Sequence, residues 1–243
     1  IAYHPADPSQ AELAAGQALT PPQIFDDGSF EFVELLNIAG NAINLDGVSF
    51  TDGIGYTFGP VIMLPGERVV LARNPTALAI RHALPASVQV VGPYTGALNN
   101  NNETLAYAAA DATPIQSFDY DDSGSWPGRA DGAASTLELI DPARDPGSAG
   151  SWRPSSEFNG SPGSAGSGPD NRIAINEVLA HTDLPEVDSI ELVNRTGAEI
   201  DISNWYLSDT RDQYTRFQIP AGTSIPSNGF ITFDETDFNS SGT

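Results

Sequence analysis

The segment ELLNIAGNAINLDGVSFTD at residues 34–52 occurs again in the chain as ELVNRTGAEIDISNWYLSD at residues 191–209. The two segments align without a gap, and apolar residues keep the same positions in both. The identical pairs are Glu34/Glu191, Leu35/Leu192, Asn37/Asn194, Gly40/Gly197, Ile43/Ile200 and Asp52/Asp209. Because a self-similar segment is the signature of a structural repeat, the sequence predicts two copies of one structural unit.

Short apolar runs separated by turn residues make up most of the chain, which contains 23 glycines and 19 prolines. The segment IAINEVLA at residues 173–180 opens the second copy with the alternation of a half-buried strand. The pattern predicts an all-β chain. One or two short helices are expected in the first copy. One lies in the Ala-rich residues 9–19, and the other starts at Asn74, a capping residue followed by proline.

Composition divides the chain into two domains. Residues 161–170 are rich in glycine, serine and proline, which is typical of a flexible linker. The sequence therefore predicts a first domain at residues 1–160, a linker at residues 161–170 and a second domain at residues 171–243.

Each copy lacks a part that the other has. The first copy begins after the strand start that residues 173–177 supply to the second, and the second copy has no counterpart of residues 73–140. We therefore expect the second domain to be incomplete at its C-terminal end. Since unpaired strand edges accept further strands, self-association through the unpaired strands of the second domain is a further expectation.

The chain is strongly acidic, with 32 aspartate and glutamate residues, 10 basic residues and a formal net charge of -22. Such a charge repels phosphate backbones and anionic membrane surfaces, so nucleic acid is not expected as a partner. No apolar run reaches the 18 residues that a membrane-spanning helix needs, so membrane insertion is not expected either.

Catalytic constellations are missing from the sequence. There is no cysteine for thiol catalysis, disulfides or thiolate metal sites, and no Gly-x-Ser-x-Gly turn that would expose a nucleophilic serine. His4 and His181 occupy the same place in the two copies and are expected to be structural. His82 falls in the last turn of the second predicted helix, where the helix dipole favours a positive charge. The sequence predicts no catalytic residue and no enzyme activity.

Three carboxylates cluster after a predicted strand, at Asp119, Asp121 and Asp122. Calcium takes oxygen ligands, so these residues are candidate Ca²⁺ ligands. The spacing lacks the glycine and distal glutamate of the full calcium-loop pattern. The alternative is a solvated loop of an acidic protein.

Trp126, Asn100 and Asn101 are candidate ligand-binding residues. An exposed tryptophan would stack on a sugar ring, and amide side chains pair with sugar hydroxyl groups. The alternatives are a tryptophan that packs into the core and a turn that tolerates left-handed backbone conformations.

Several motifs resemble the lamin-tail domain family, and together they cover nearly the whole chain. In the first copy these are FEFVELLN (30–37), NLDGVSF (44–50), LPGERVVL (64–71), DYDDSGSWP (119–127), STLELI (135–140) and SWRP (151–154). In the second copy they are INEV (175–178), DSIELVN (188–194), ISNWYL (202–207) and IPSNG (225–229). The resemblance implies two tandem immunoglobulin-like β-sandwich domains.

The resemblance also implies a functional context. Prokaryotic copies of such domains occur in large secreted or surface proteins, and the family has no established catalytic residues. We therefore expect a secreted or cell-surface, non-catalytic module for adhesion, spacing or docking, with a protein or an extracellular polysaccharide as partner. Two alternatives stay open: a carbohydrate-binding module attached to a polysaccharide-degrading enzyme, and a strand-exchanging assembly unit.

Overall fold

A computed structural model describes residues 1–181, 186–210 and 214–238 of the chain. The chain divides after Gly168 into two compact units, unit 1 before this boundary and unit 2 after it. The strands of unit 1 are β1 Phe32–Leu36, β2 Ile43–Asn44, β3 Ser49–Asp52, β4 Ile62–Met63, β5 Arg68–Ala72, β6 Gln89–Val91, β7 Asn102–Ala108, β8 Pro114–Asp121, β9 Leu137–Leu139 and β10 Trp152–Pro154. Its helices are α1 Gln10–Gln17 and α2 Pro75–His82.

Unit 1 is built from two three-stranded sheets, with strand orders β1-β5-β6 and β3-β7-β8. The pairs β2-β4 and β9-β10 extend the structure. Large side chains that are almost completely buried form its main core: Tyr3, Phe58, Met63, Leu71, Leu105, Tyr120 and Leu137. The predicted all-β, immunoglobulin-like fold is confirmed, and so are the two short helices of this part of the chain.

Unit 2 is smaller and has its own core. Its strands are β11 Ile173–Leu179, β12 Ser189–Asn194, β13 Ile200–Asp201, β14 Tyr206–Leu207, β15 Phe217–Gln218, β16 Ser224–Ile225 and β17 Phe230–Asp234, followed by a short helix α3, Glu235–Phe238. They form one sheet of order β11-β12-β17 and the pairs β13-β16 and β14-β15. Ile202, Ile219 and Ile225 are fully buried between them.

The strand pairing of unit 2 repeats that of unit 1. Glu34 of β1 lies opposite Val70 of β5, and Glu191 of β12 lies opposite Thr232 of β17. Likewise, β2 pairs with β4 as β13 pairs with β16. The duplicated sequence segment therefore folds into the same ladder in both units.

One buried asparagine ends the equivalent strand in each unit. Asn37 donates its side-chain amide to the carbonyl oxygens of Asn41 and Met63, at 3.0 and 2.9 Å. Asn194 donates to the carbonyl oxygens of Ala198 and Ile225, at 2.7 and 2.9 Å. Both side chains are almost inaccessible to solvent. Since buried polar groups need hydrogen-bond partners, this side chain fixes the turn and the strand that follows it.

The two helices of unit 1 start at the capping residues that sequence patterns favour. Ser9 and Glu12 form a reciprocal capping box on α1, and Asn74 accepts hydrogen bonds from two backbone N–H groups at the start of α2. Arg81 of α2 pairs with Glu12 at 2.7 Å and lies over the ring of Phe30. These contacts tie both helices to unit 1.

The expectation that His82 favours a positive charge is wrong. Burial, together with the neighbouring Arg81 guanidinium, lowers the pKa of His82 to about 4. Its ring packs edge-on against Phe32 of β1, with 6.1 Å between the ring centroids. Desolvation beside an apolar sheet therefore outweighs the helix dipole at this position.

The predicted flexible linker is in large part ordered against unit 1. Ser161 donates its hydroxyl to Glu138 at 2.5 Å, and Gly163 donates its N–H to Glu34 at 2.6 Å. Ser167 donates its N–H to Glu157 at 2.7 Å. Carboxylates of unit 1 thus bind the Gly-Ser-Pro segment, and the structural boundary lies after Gly168.

Among the residues that the structure describes, no helix has both the length and the apolarity to cross a membrane.

Replacing the buried asparagine tests its structural role. We expect Asn37→Ala and Asn194→Ala each to lower the free energy of unfolding by about 1–3 kcal/mol, because the carbonyl groups around the deleted amide lose their donor. Urea unfolding measures this effect. The exposed Asn41→Ala is the control, and it should stay within about 0.5 kcal/mol of the unsubstituted chain. Equal losses for Asn37→Ala and Asn41→Ala would contradict the assigned role.

The low pKa of His82 predicts a pH dependence of stability. Between pH 6.5 and about 4 the unfolded state binds a proton that the folded state does not, so stability falls as the pH falls. From pH 7 to pH 5 we expect the unsubstituted chain to lose about 1–2 kcal/mol more than His82→Leu. Urea unfolding at the two pH values measures the difference. Parallel pH profiles for the two proteins would show that His82 does not cause it.

Candidate functional site

A groove runs through unit 1 between β1 and β9, with a volume of about 580 Å³. Its floor is the apolar core, and the side chains that form it include Leu35, Leu45, Met63, Tyr107, Leu139 and Trp152. Its long walls are two strand edges. The groove therefore combines apolar surface with backbone groups.

The first wall is the outer edge of β1. Asn37 donates its backbone N–H to Glu67 at 2.9 Å, on the β5 side. The backbone N–H and C=O groups of Phe32 face the opposite side of β1, away from β5, because they form hydrogen bonds with Ala2. Alternate residues of an antiparallel strand direct their N–H and C=O groups to opposite sides, so Glu34 and Leu36 direct theirs into the groove. None of the described residues forms a backbone hydrogen bond with these two groove-facing peptides.

The second wall is the edge of β9. Leu137 and Ile1 exchange two backbone hydrogen bonds of 2.8 Å each. Ile140 instead donates its N–H to Ser151, on the β10 side, at 2.9 Å. By the same alternation Leu139 directs its backbone groups into the groove, where the described part of the chain supplies no backbone partner. Residues 1–2 thus lie between the two walls and pair with both, and the groove continues in line with them.

A roof of Gly-Ser-Pro residues closes one side of the groove. Gly163 donates to Glu34 of β1, and this carboxylate also pairs with Arg68 at 3.0 Å. Gly163 has φ of +82°, a left-handed conformation that favours glycine. On the other wall Glu138 accepts the hydroxyl hydrogen of Ser161. The roof therefore rests on one carboxylate from each wall.

Burial dominates the electrostatics of Glu34. It raises the pKa of this carboxyl above the ordinary value, although the Gly163 N–H and Arg68 both favour the charged form. A carboxylate held by an arginine and a backbone donor serves as a structural anchor. Glu34 thus links β1 to residues 161–165 and to β5.

Exposed apolar side chains line the groove where it meets solvent. Ile38 is 70% exposed, Ile115 50% and Ile140 43%. Contiguous exposed apolar surface of this kind is typical of interaction sites in soluble domains.

Two of the predicted calcium ligands, Asp119 and Asp121, accept hydrogen bonds from different residues. Asp119 accepts the hydroxyl hydrogen of Thr104 at 2.6 Å, and Asp121 accepts two hydrogen bonds from Ser123. These bonds lower the pKa of Asp121, whereas partial burial, with Asp121 nearby, raises the pKa of Asp122. Within the described ranges, no group of three or more acidic or histidine side chains has the arrangement to hold a metal ion. Calcium binding by this loop stays a prediction.

The predicted ligand-binding residues Trp126, Asn100 and Asn101 do not line the groove, although Trp126 contacts Trp152 of its floor. Trp126 is half-buried and packs against Trp152, with 6.4 Å between ring centroids, so its ring is not a free-standing platform. Asn101 donates its backbone N–H to the side chain of Asn99 at 2.9 Å, in a turn that also contains Asn100. The β7–β8 register places this turn and Asp121 at the same end of the hairpin. Sugar binding by these residues is likewise still a prediction.

The comparison with known families concerns mainly unit 2. Residues 167–242 match the family model described as Lamin Tail Domain. The match covers about a third of the chain and includes the seven strands that the structure describes in unit 2. No curated protein matches the chain. The resemblance to the lamin-tail domain is therefore confirmed for this part.

The two units differ at the outer edge of the equivalent strand. The family whose model residues 167–242 match is immunoglobulin-like and generally non-catalytic. In unit 2, β12 lies between β11 and β17. In unit 1 the equivalent strand β1 pairs with β5 on one side, and among the described residues Ala2 pairs with it on the other.

Glu34 offers a test of how the groove is built. We expect Glu34→Ala to lower the free energy of unfolding by about 1–3 kcal/mol, because it leaves Arg68 half-buried without its partner and removes the acceptor of the Gly163 N–H. We also expect the substitution to make residues 161–165 more sensitive to protease, because Gly163 loses its contact with Glu34. Limited proteolysis and urea unfolding measure both effects.

Glu191→Ala is the matched control, since Glu191 occupies the equivalent strand position in unit 2 and accepts from Asn176. It should leave the cleavage of residues 161–165 unchanged. Faster cleavage in both variants would contradict the roof contact.

Proposed function

We propose that the chain is a non-catalytic docking module of a larger exported prokaryotic protein, built from two tandem lamin-tail domains. The family match supports this for unit 2. For unit 1 the proposal is supported by the duplicated segment at residues 34–52 and 191–209, by the repeated strand ladder and by the equivalent buried asparagines. Export is supported by the resemblance to prokaryotic copies in secreted and surface proteins.

The groove between β1 and β9 is the observation that favours docking over a purely spacing role. It combines apolar floor residues, three exposed isoleucines at its rim and backbone groups that lack a partner within the described chain. Exposed apolar surface of this kind gives a docking domain hydrophobic contact with a partner.

A random peptide library tests the proposed function without assuming a ligand. Panning against the immobilised chain should enrich peptides that lose binding to the rim variants Ile38→Asp and Ile140→Asp. These substitutions place a charge at exposed positions of the groove, so folding should be preserved. Binding to each variant is measured with the purified peptides.

Ile24→Asp is the matched control, because Ile24 is 88% exposed and does not line the groove. Enriched peptides should bind it as they bind the unsubstituted chain. A library that yields no peptide, or only peptides that ignore both rim substitutions, would overturn the docking proposal.

A further inference from the structure

We propose that Asn102 is the acceptor of an N-linked glycan that the chain receives during export. Asn102 follows the polar turn at residues 99–101 and is the first residue of β7. A glycan is bulky, solubilising and confined to the surface, so it would shield this turn. The inference rests on the export that is part of the proposed function. It concerns a surface outside the groove, because Asn102 does not line it.

The acceptor pattern is asparagine followed by any residue except proline and then by serine or threonine. It occurs in the chain as NET at residues 102–104, NGS at 159–161, NRT at 194–196 and NSS at 239–241. Because so short a pattern also arises by chance, the surroundings of each asparagine decide whether it is an acceptor. Asn239 lies outside the described residues, so the structure compares the other three sites.

Two of these three sites lack room for a sugar. Asn194 is fully buried and donates its side-chain amide to the carbonyl oxygens of Ala198 and Ile225 at 2.7 and 2.9 Å. A glycan on this nitrogen would replace one of the hydrogens that the fold uses. Asn159 is half-buried, and the oxygen of its side-chain amide is inaccessible to solvent. Its amide therefore points into unit 1.

Asn102 has the opposite surroundings. It is exposed, and among the residues that the structure describes none forms a hydrogen bond with its side-chain amide. The turn before it is closed by a contact of its own, because Asn101 donates its backbone N–H to the side chain of Asn99 at 2.9 Å. A sugar on the Asn102 nitrogen therefore extends into solvent without displacing a hydrogen bond of the fold.

Thr104 supplies the hydroxyl that completes the acceptor pattern. In the folded chain this hydroxyl donates to Asp119 at 2.6 Å. The pair lies two residues from the end of the β7–β8 ladder, where Asn102 lies opposite Asp121. Because strand ends open locally at a low free energy, the hydroxyl becomes accessible without unfolding of the core. Asn102 can therefore accept a glycan in the folded chain.

The transfer is a substitution at a sugar carbon. The donor is a lipid-linked oligosaccharide, whose anomeric carbon is bonded to a phosphate oxygen of the lipid. The side-chain nitrogen of Asn102 forms a bond to this carbon, the carbon–oxygen bond breaks, and the lipid phosphate leaves with the electron pair. The nitrogen loses one proton to a base of the transferase and remains part of a neutral amide. No group is oxidised or reduced.

Glycan transfer to the folded chain tests the inference. The purified full chain is incubated with an oligosaccharyltransferase that recognises Asn-x-Ser/Thr and with a lipid-linked oligosaccharide of known mass. We expect the intact mass to rise by one oligosaccharide. Trypsin cleaves after arginine, so the glycan should be found on the peptide of residues 82–129. The tryptic peptides that contain Asn159 and Asn194 should stay unmodified.

Substitutions assign the glycan to one nitrogen. Asn102→Gln and Thr104→Ala should each abolish the mass increase, and Thr104→Ser should keep it because serine also supplies a hydroxyl. Asn101→Gln is the matched control, since this exposed neighbour lies outside the acceptor pattern. It should be modified like the unsubstituted chain.

An unrelated acceptor peptide first shows that the transferase is active, so that a negative result reports on this chain. A folded chain that stays unmodified under these conditions would overturn the inference. A glycan on Asn159 or Asn194, or one that persists in Asn102→Gln, would overturn it as well.

The result is separable from the docking proposal, which the peptide library tests at the groove of the unmodified chain. If library peptides bind but the folded chain accepts no glycan, this inference fails and the docking function stands. If the chain accepts the glycan and no library peptide binds, the docking function fails while the acceptor site stands.

Discussion

Each unit depends on one buried asparagine side chain at the same position of the repeated segment. At Asn37 and at Asn194 the strand must end, the backbone must turn, and the next strands must return at a fixed distance to receive the amide hydrogens. Because an unpaired amide in an apolar core is costly, alternative registers of these strands are disfavoured. The same residue in the same place thus favours one ladder in both copies of the repeated segment.

The two units differ mainly in what lies beside that ladder. In unit 2 the outer edge of β12 is covered by β11, which is part of the same compact unit. In unit 1 the described residue that pairs with the outer edge of β1 is Ala2, and the groove lies beyond it, beside the ordered residues 161–165. The apolar floor of this groove distinguishes it from an ordinary strand edge exposed to solvent.

Sequence patterns predict the parts of this structure that depend on local rules. The repeated Asn37 and Asn194 and the cap at Asn74 follow from residue type and spacing. The packing of residues 161–168 does not, because a Gly-Ser-Pro composition reports backbone freedom and says nothing about the distant carboxylates of Glu34 and Glu138 that bind it. Local sequence patterns do not predict the groove either, because its two walls come from strands about a hundred residues apart. The prediction for His82 is wrong for a related reason. Its position in the last helical turn favours a charged ring, but burial against β1 lowers its pKa.

Amide hydrogen exchange tests most directly whether β1 and β12 are equivalent strands that differ by one open edge. The backbone amides of Glu191 and Val193 face β11, and those of Glu34 and Leu36 face the groove. The account predicts that in the free chain the first pair exchanges at least about tenfold more slowly than the second, relative to their intrinsic rates. Equal protection of the two pairs would contradict it.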